Sequence, residues 1–219
     1  MKYYRFKKER DKKLRVGKIV CLARTYRKHA EEMKSETPSK PVVFLKPSSS
    51  VVFDGGSIIY PEISNCLHHE VEFGVVIKEK CRNISKGQVS KHVLGYLVAL
   101  DITARDLQSK AKKDGLPWSI AKGFDTFAPI SDVVLKDEIS NPNEVYLSLK
   151  INDEVKQRDN TRNMVFTVEE LVEYISQIMT LYPGDLIMTG TPEGVGEIKK
   201  GDLLEAKLGD FCHLKVDVK

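Results

Sequence analysis

No stretch of this sequence approaches the run of about 18 apolar residues that a membrane-spanning helix needs. No apolar segment follows the positive charges at the amino terminus, so a secretory leader is not expected either. Cysteine is sparse. Cys21, Cys66, Cys81 and Cys212 are scattered, with no C-x-x-C pair, which argues against a structural zinc site and for a reducing, cytoplasmic setting. Internal repeats and low-complexity segments are absent. The first 15 residues lack serine and contain Glu9 and Asp11, a composition unlike that of a transit peptide. The chain also lacks a large net charge: the formal value is +4. That surplus sits in Met1 to Arg15, where eight Lys or Arg residues face two acids. Residues 1–14 are therefore expected to form a basic, solvated arm ahead of a single catalytic domain, residues 15–219. Nucleic acid and membrane are not expected partners.

What is present belongs to a globular chain: 41% hydrophobic and 30% charged residues over 219 positions are enough for a substantial core. Residues 17–23 read as a strand, Tyr26 to Lys34 as a short helix, and residues 35–41 as a proline-bracketed loop. Val42 to Lys46 is a strand ending at Pro47. Short strands broken by turn signals such as Asp54-Gly55-Gly56 continue to Leu100. Thr103 to Lys113 has a helical composition and is stopped by Gly115-Leu116-Pro117. Residues 144–152 alternate, with Val145, Leu147, Leu149 and Ile151 inward, and turn at Asn152-Asp153. Thr167 with Glu170 forms a capping box opening a helix that should bury Leu171, Tyr174, Ile175 and Ile178. Leu186 to Thr189, Leu203 to Leu208 and the carboxy terminus are late strands. Many short strands with few short helices predict a mixed, β-rich α+β sandwich or roll.

The chemistry concentrates around Leu67 to Ile77, LHHEVEFGVVI. Side chains alternate along a strand, so Glu70 and Glu72 project to one side and Val71, Phe73 and Val75 to the other. Two like charges beside an apolar run become favourable together when a hard divalent cation binds them. Asp101, closing the apolar run Gly95 to Leu100, would supply a third oxygen. Taken alone, the pair also fits a half-exposed strand with its acids in water. His29 and Glu32, at i and i+3, share a helix face, and a carboxylate beside an imidazole orients it as a general base. Arg105 and Gln108 share the face of the turn after Asp101. Arg105 suits a substrate carboxylate or a brace for the acids. Lys122, among apolar residues, either snorkels to water or sits near negative charge. Thr189 to Gly196 is a glycine-rich loop without P-loop or G-x-G-x-x-G spacing, whose N–H groups and hydroxyls could hold a carboxylate.

Together, RTYRKHAEE, VVFLKP, HHEVEFGVVI, LDITARDLQ, GLPWSIAKGF and LIMTGTPEGVG resemble the fumarylacetoacetate hydrolase family. Within it they closely resemble the short, single-domain acylpyruvase and oxaloacetate decarboxylase subgroup. The motifs occur in order from about Gly17 to Leu208. The resemblance implies the fold of the family's C-terminal domain and a homodimer. It implies an Mg²⁺ or Mn²⁺ site made by Glu70, Glu72 and Asp101, a His29/Glu32 dyad on a lid, and Lys122 as the site lysine. Arg24, Lys46, Arg105, Gln108 and Thr191 match positions that line the family's pocket. The sequence departs from the pattern at Thr25, where Asn is commoner, and at Gly123-Phe124-Asp125 on the pocket edge.

The implied activity is hydrolysis of 3-acylpyruvates to pyruvate and a carboxylic acid, with oxaloacetate decarboxylation through the same enolate. The substrate is then a small 2-keto acid. Isomerisation of unsaturated 2-oxo diacids and dehydration of sugar-derived 2-keto acids are the family's alternatives, and relatives in mitochondria leave the compartment open. A non-enzymatic cation- or nucleic-acid-binding module is the rival class, and it leaves His29, Glu32 and Lys122 without a task.

Overall fold

The computed structural model describes residues 1–32 and 38–219. An eight-stranded sheet forms the centre. Its order is Val42–Lys46, Ile19–Ala23, Leu186–Met188, Val71–Ile77, Val93–Leu100, Ala128–Ile130 and Val51–Phe53, with Val134–Leu135 also pairing to Val93–Leu100. A five-stranded sheet runs Glu154–Asn160, Tyr146–Ile151, Leu203–Leu208, Cys212–Val218 and Ser57–Ile58. Gly196–Ile198, Leu67–His69 and Thr103–Ala104 make a third, small sheet. The expected β-rich α+β architecture is the one observed.

Strand alternation explains how the layers stack. Val20, Leu22, Val71, Phe73 and Val75 point from the large sheet into one core, where Leu147, Leu149, Leu204, Ala206, Leu214 and Val216 of the five-stranded sheet meet them. Ile19, Cys21, Val76, Leu97 and Met188 point the other way into a second core. Both faces are therefore covered, and every residue of Val71–Ile77 is buried. A half-exposed strand with its acids in water is excluded.

The second core also corrects the solvated arm. Tyr4 and Phe6 belong to it, Tyr3 bridges to Arg15 and Phe6 to Val133, and the Tyr4 hydroxyl donates to the Gly184 carbonyl at 3.0 Å. The charges of the segment face water while two of its aromatics close the sheet, because an uncovered apolar face costs more than ordering a short arm.

The hairpin turn falls at Asn152 and Asp153 with φ of +49° and +68°, the left-handed pair that a two-residue hairpin requires. The helix Val168–Ile178 carries the expected capping box, with Glu170 N–H donating to Thr167 Oγ1 at 3.2 Å and Thr167 N–H to Glu170 Oε2 at 2.9 Å. Its buried stripe is shifted. Val168, Leu171, Val172 and Ile175 face the core, Tyr174 is half-buried and Ile178 is 49% exposed. The first helix spans Arg27–Glu32. The expected continuation to Lys34, and the loop from Ser35 to Thr37, lie outside the described residues. The helix expected from Thr103 begins at Arg105, since Thr103 and Ala104 pair with His68 and Leu67.

Candidate active site

The strand expected to run from Leu67 to Ile77 is broken at Glu70. Leu67–His69 belongs to the small sheet and Val71–Ile77 to the large one, so Glu70 occupies the step between two sheets. Its backbone there is tied on both sides: Asp101 N–H donates to the Glu70 carbonyl at 2.8 Å, and Val71 N–H to Gln157 Oε1 at 2.9 Å. Glu72 pairs with Ala99 across the ladder, and Asp101 follows the end of that neighbouring strand. The three carboxylates thus converge, with one oxygen from each within 4.8 Å of the other two. All three residues are buried.

This trio is an incomplete polar cluster. Asp101 Oδ1 is buried without a hydrogen-bond partner, although Lys46 Nζ lies 2.7 Å away. The directed bonds of that ammonium go elsewhere, to the carbonyls of Ile102 at 3.0 Å, Lys122 at 2.6 Å and Phe127 at 2.9 Å. Lys46 therefore supplies charge to Asp101 and no directed bond. Glu72 Oε2 accepts from Gly190 N–H at 2.8 Å. Burial, then Asp101, then Glu70 push the Glu72 carboxyl well above its ordinary range. Burial also acts to raise Glu70, but Lys122 and Arg105 outweigh it and hold that carboxyl well below the usual carboxylate range. Three hard oxygen donors, one orphaned and one disfavoured as an anion, fit a divalent cation of the oxygen-seeking class.

Lys122 does not snorkel. It is 2% exposed, and its Nζ donates to Asp101 Oδ2 at 2.5 Å, Thr103 Oγ1 at 2.6 Å and Glu70 Oε2 at 3.1 Å. All three of its protons are committed. Of the two roles open to it, Arg105 takes the brace for the acids: Nη2 pairs with Glu70 Oε1, while Nη1 donates to Gln108 Oε1 at 2.6 Å. Its Nε reaches His68 Nδ1 at 3.3 Å. Burial first, then Arg105, lower the His68 pKa to about 4, which leaves that ring neutral.

His29 Nδ1 stands 3.2 Å from Glu32 Oε2, the pair expected from their spacing. The glycine-rich loop holds it from outside, with Gly194 N–H donating to Glu32 Oε1 at 3.1 Å. In the tautomer that turns Nδ1–H to the carboxylate, Nε2 is the acceptor nitrogen of the ring. Ahead of the helix, Arg24 sits at φ +59°, a left-handed conformation that costs a non-glycine residue about 1 kcal/mol or more. Thr25 locks the same turn: its hydroxyl donates to the Thr189 carbonyl at 2.6 Å and its carbonyl accepts from Val165 N–H at 2.7 Å. The departure from Asn therefore keeps a hydrogen bond at this position. Gly190, at φ +94°, is needed for the turn that aims its N–H at Glu72.

These groups share one cavity of about 410 Å³. Arg24, His29, Glu70, Glu72, Arg105, Gln108, Lys122 and Thr191 line it, with the buried Asp101 bonded to Lys122 and Glu32 bonded to His29. Lys46, expected on the wall, lies beneath it, 1% exposed. Phe44, Lys112 and Trp118 also line the cavity. Lys112 was legible in principle, seven residues after Arg105 and four after Gln108 on one helix face. Gln157 left no such signal. It arrives from a strand of the other sheet, and its Oε1 stands 2.9 Å from His69 Nδ1. Its Nε2 donates to Thr191 Oγ1 and the Pro192 carbonyl, both at 2.9 Å.

Comparison with known proteins shows what the chain is similar to. The model of the fumarylacetoacetate (FAA) hydrolase C-terminal family matches residues 18–219. The chain is 47% identical over 201 residues to a protein of Arabidopsis thaliana named oxaloacetate tautomerase FAHD1, mitochondrial, spanning 92% of this chain and 90% of that one. It is 49% identical over 189 residues to a mitochondrial oxaloacetate decarboxylase of Dictyostelium discoideum, spanning 86% and 87%. The fold superposes, at TM-score 0.94, 33% identity and coverage of 99% and 95%, on a fumarylpyruvate hydrolase of Pseudomonas aeruginosa solved with Mn²⁺ and pyruvate.

Proposed function

We propose, from the premise that this chain belongs to the fumarylacetoacetate hydrolase family, that it hydrolyses the carbon–carbon bond of 3-acylpyruvates and also decarboxylates oxaloacetate, with Mg²⁺ or Mn²⁺ as cofactor. One observation carries the reading. Glu70 and Glu72 of a buried carboxylate trio line the same cavity as a carboxylate-oriented histidine, and the third member, Asp101, keeps an unsatisfied oxygen.

Glu70, Glu72 and Asp101 would hold the cation, which when bound polarises the oxygens of a 2-keto acid and favours charge developing on them. Arg105 and Gln108, already bonded to each other, present a planar donor edge for the substrate carboxylate. His29 Nε2 takes a proton from water, and Glu32 stabilises the resulting imidazolium. The water oxygen then bonds to the distal acyl carbon. The bond between that carbon and the substrate methylene breaks, its electron pair enters the enolate of pyruvate, and a proton returned to the methylene carbon completes pyruvate. Lys122 contributes its fixed positive charge at the cavity wall, favouring the enolate without releasing its own partners. For oxaloacetate the leaving fragment is CO₂ and no water attack is required.

Replacing His29 by Ala is therefore expected to lower acetylpyruvate hydrolysis by about 10²- to 10⁴-fold and oxaloacetate decarboxylation much less, each assayed with Mg²⁺ and with EDTA. Equal losses in the two reactions would remove His29 as the base. A second reading, interconversion of the enol and keto forms of oxaloacetate, is favoured by the name of the relative at 47% identity. There the His29/Glu32 pair would only carry a proton between carbon and the enol oxygen. Loss of the enol without release of CO₂ would select it.

A further inference from the structure

Gln157 is 1% exposed, and every hydrogen-bonding position of its amide is engaged. Its Oε1 accepts from Val71 N–H at 2.9 Å and stands 2.9 Å from His69 Nδ1. An amide oxygen only accepts, so that ring nitrogen carries the proton. Its Nε2 donates to Thr191 Oγ1 and to the Pro192 carbonyl, both at 2.9 Å. Thr191 closes the circuit, because its hydroxyl donates to the Val71 carbonyl at 2.8 Å. Two side chains thus hold both polar groups of the Val71 backbone. Val71 separates Glu70 from Glu72 where the chain passes from the small sheet to the large one.

The same clamp reaches the histidine pair. Gly190 N–H donates to Glu72 Oε2 at 2.8 Å, and Gly194 N–H to Glu32 Oε1 at 3.1 Å. One loop therefore touches a candidate cation ligand at one end and the partner of His29 at the other. Gln157 grips that loop between the two ends, at Thr191 and Pro192. The loop lies hard against the strand Glu154–Asn160. Gly194 has φ +91°, and a Cβ there would stand 2.3 Å from the Lys156 carbonyl, too near for any residue but glycine. A fully bonded buried amide fixes a single arrangement of its neighbours, and its loss releases strand and loop together.

We infer that Gln157 is a positioning residue of the site. Through Val71 it sets the directions in which Glu70 and Glu72 leave the backbone, and through the loop Thr189 to Gly194 it keeps Glu72 and Glu32 aimed at one cavity. Gln157 is not among the residues that line the cavity, and its bonds go to Val71, His69, Thr191 and Pro192, none of them a carboxylate. It acts only through the groups it holds. The inference rests on the reading of Glu70, Glu72 and Asp101 as cation ligands and of His29 with Glu32 as the base.

Gln157→Met keeps an unbranched stem of similar length and removes all four bonds. Mn²⁺ is titrated by calorimetry into the metal-free, folded full chain, a readout that needs no substrate. Affinity is expected to fall about 10- to 100-fold, the scale on which groups that orient metal ligands act. At saturating Mn²⁺, kcat for acetylpyruvate should fall about tenfold while KM stays within about threefold. Thr191→Val breaks the same circuit and Thr191→Ser keeps its hydroxyl. The first should weaken Mn²⁺ binding and the second should retain it, which decides the matter if Gln157→Met does not fold. Unchanged Mn²⁺ affinity in folded Gln157→Met, with only a lower melting temperature, overturns the inference and leaves the proposed function standing. Equal affinities in Thr191→Val and Thr191→Ser overturn it as well. A wild type that binds no Mn²⁺ removes the cation reading and this inference with it, whereas Mn²⁺ binding without turnover of either 2-keto acid refutes the proposed function alone.

Discussion

Lys46 tests whether a buried lysine beside the acids touches substrate or braces the site. Lys46→Met removes the ammonium and keeps a flexible stem of similar shape. The carbonyls of Ile102, Lys122 and Phe127 then lose donors at 3.0, 2.6 and 2.9 Å. Phe127 keeps the Ile102 N–H at 3.1 Å, so two carbonyls bear most of the loss. A buried polar group left unsatisfied costs about 1–3 kcal/mol. Relief from burying the ammonium offsets part of the total, which leaves about 3 kcal/mol. At about 2–4 °C per kcal/mol for a chain of this size, the melting temperature should fall by about 6–12 °C, read by calorimetry without ligand. An unchanged melting temperature with a raised KM would show that Lys46 contacts substrate, and the reasoning from its carbonyl partners would fail.

The Glu72 carboxyl is raised by burial and by its acidic neighbours, so in metal-free protein the folded state keeps a proton that the unfolded chain gives up. Stability is then full below about pH 4.3, the unfolded value, and is lost as pH rises toward the folded one, by up to about 1.4 kcal/mol per pH unit. Denaturant titrations of EDTA-treated protein from pH 5 to 7 should show this decline in wild type and a flatter profile in Glu72→Gln; identical slopes would refute it. Deleting residues 1–14 should lower stability by about 3 kcal/mol or more, since it uncovers the sites of Tyr4 and Phe6. Turnover per folded molecule at low temperature should stay near wild type, and a truncated chain that melts with wild type would refute the packed arm.

How much was legible in the sequence depended on how local the physics is. The strand alternation, the Thr167/Glu170 cap, the Asn152-Asp153 turn and the His29/Glu32 pair are set within a few residues, and each is found as the spacing predicts. Glu70, Glu72 and Asp101 were identified as partners, but alternation alone left open whether the glutamates faced water. Only the packing of the five-stranded sheet and of the amino-terminal arm on opposite faces of the large sheet closed that question.

Contacts between distant segments decided the rest. A lysine's reach and charge can be read from sequence, but not which carbonyls will surround it, and so Lys46 became a brace beneath the cavity. Gln157 stands beside the carboxylates because two sheets pack together there. The sequence alone determined which side chains could hold a cation and move a proton. The tertiary structure decided which of them share a buried space, because burial and convergence belong to the packed chain and not to any short segment of it.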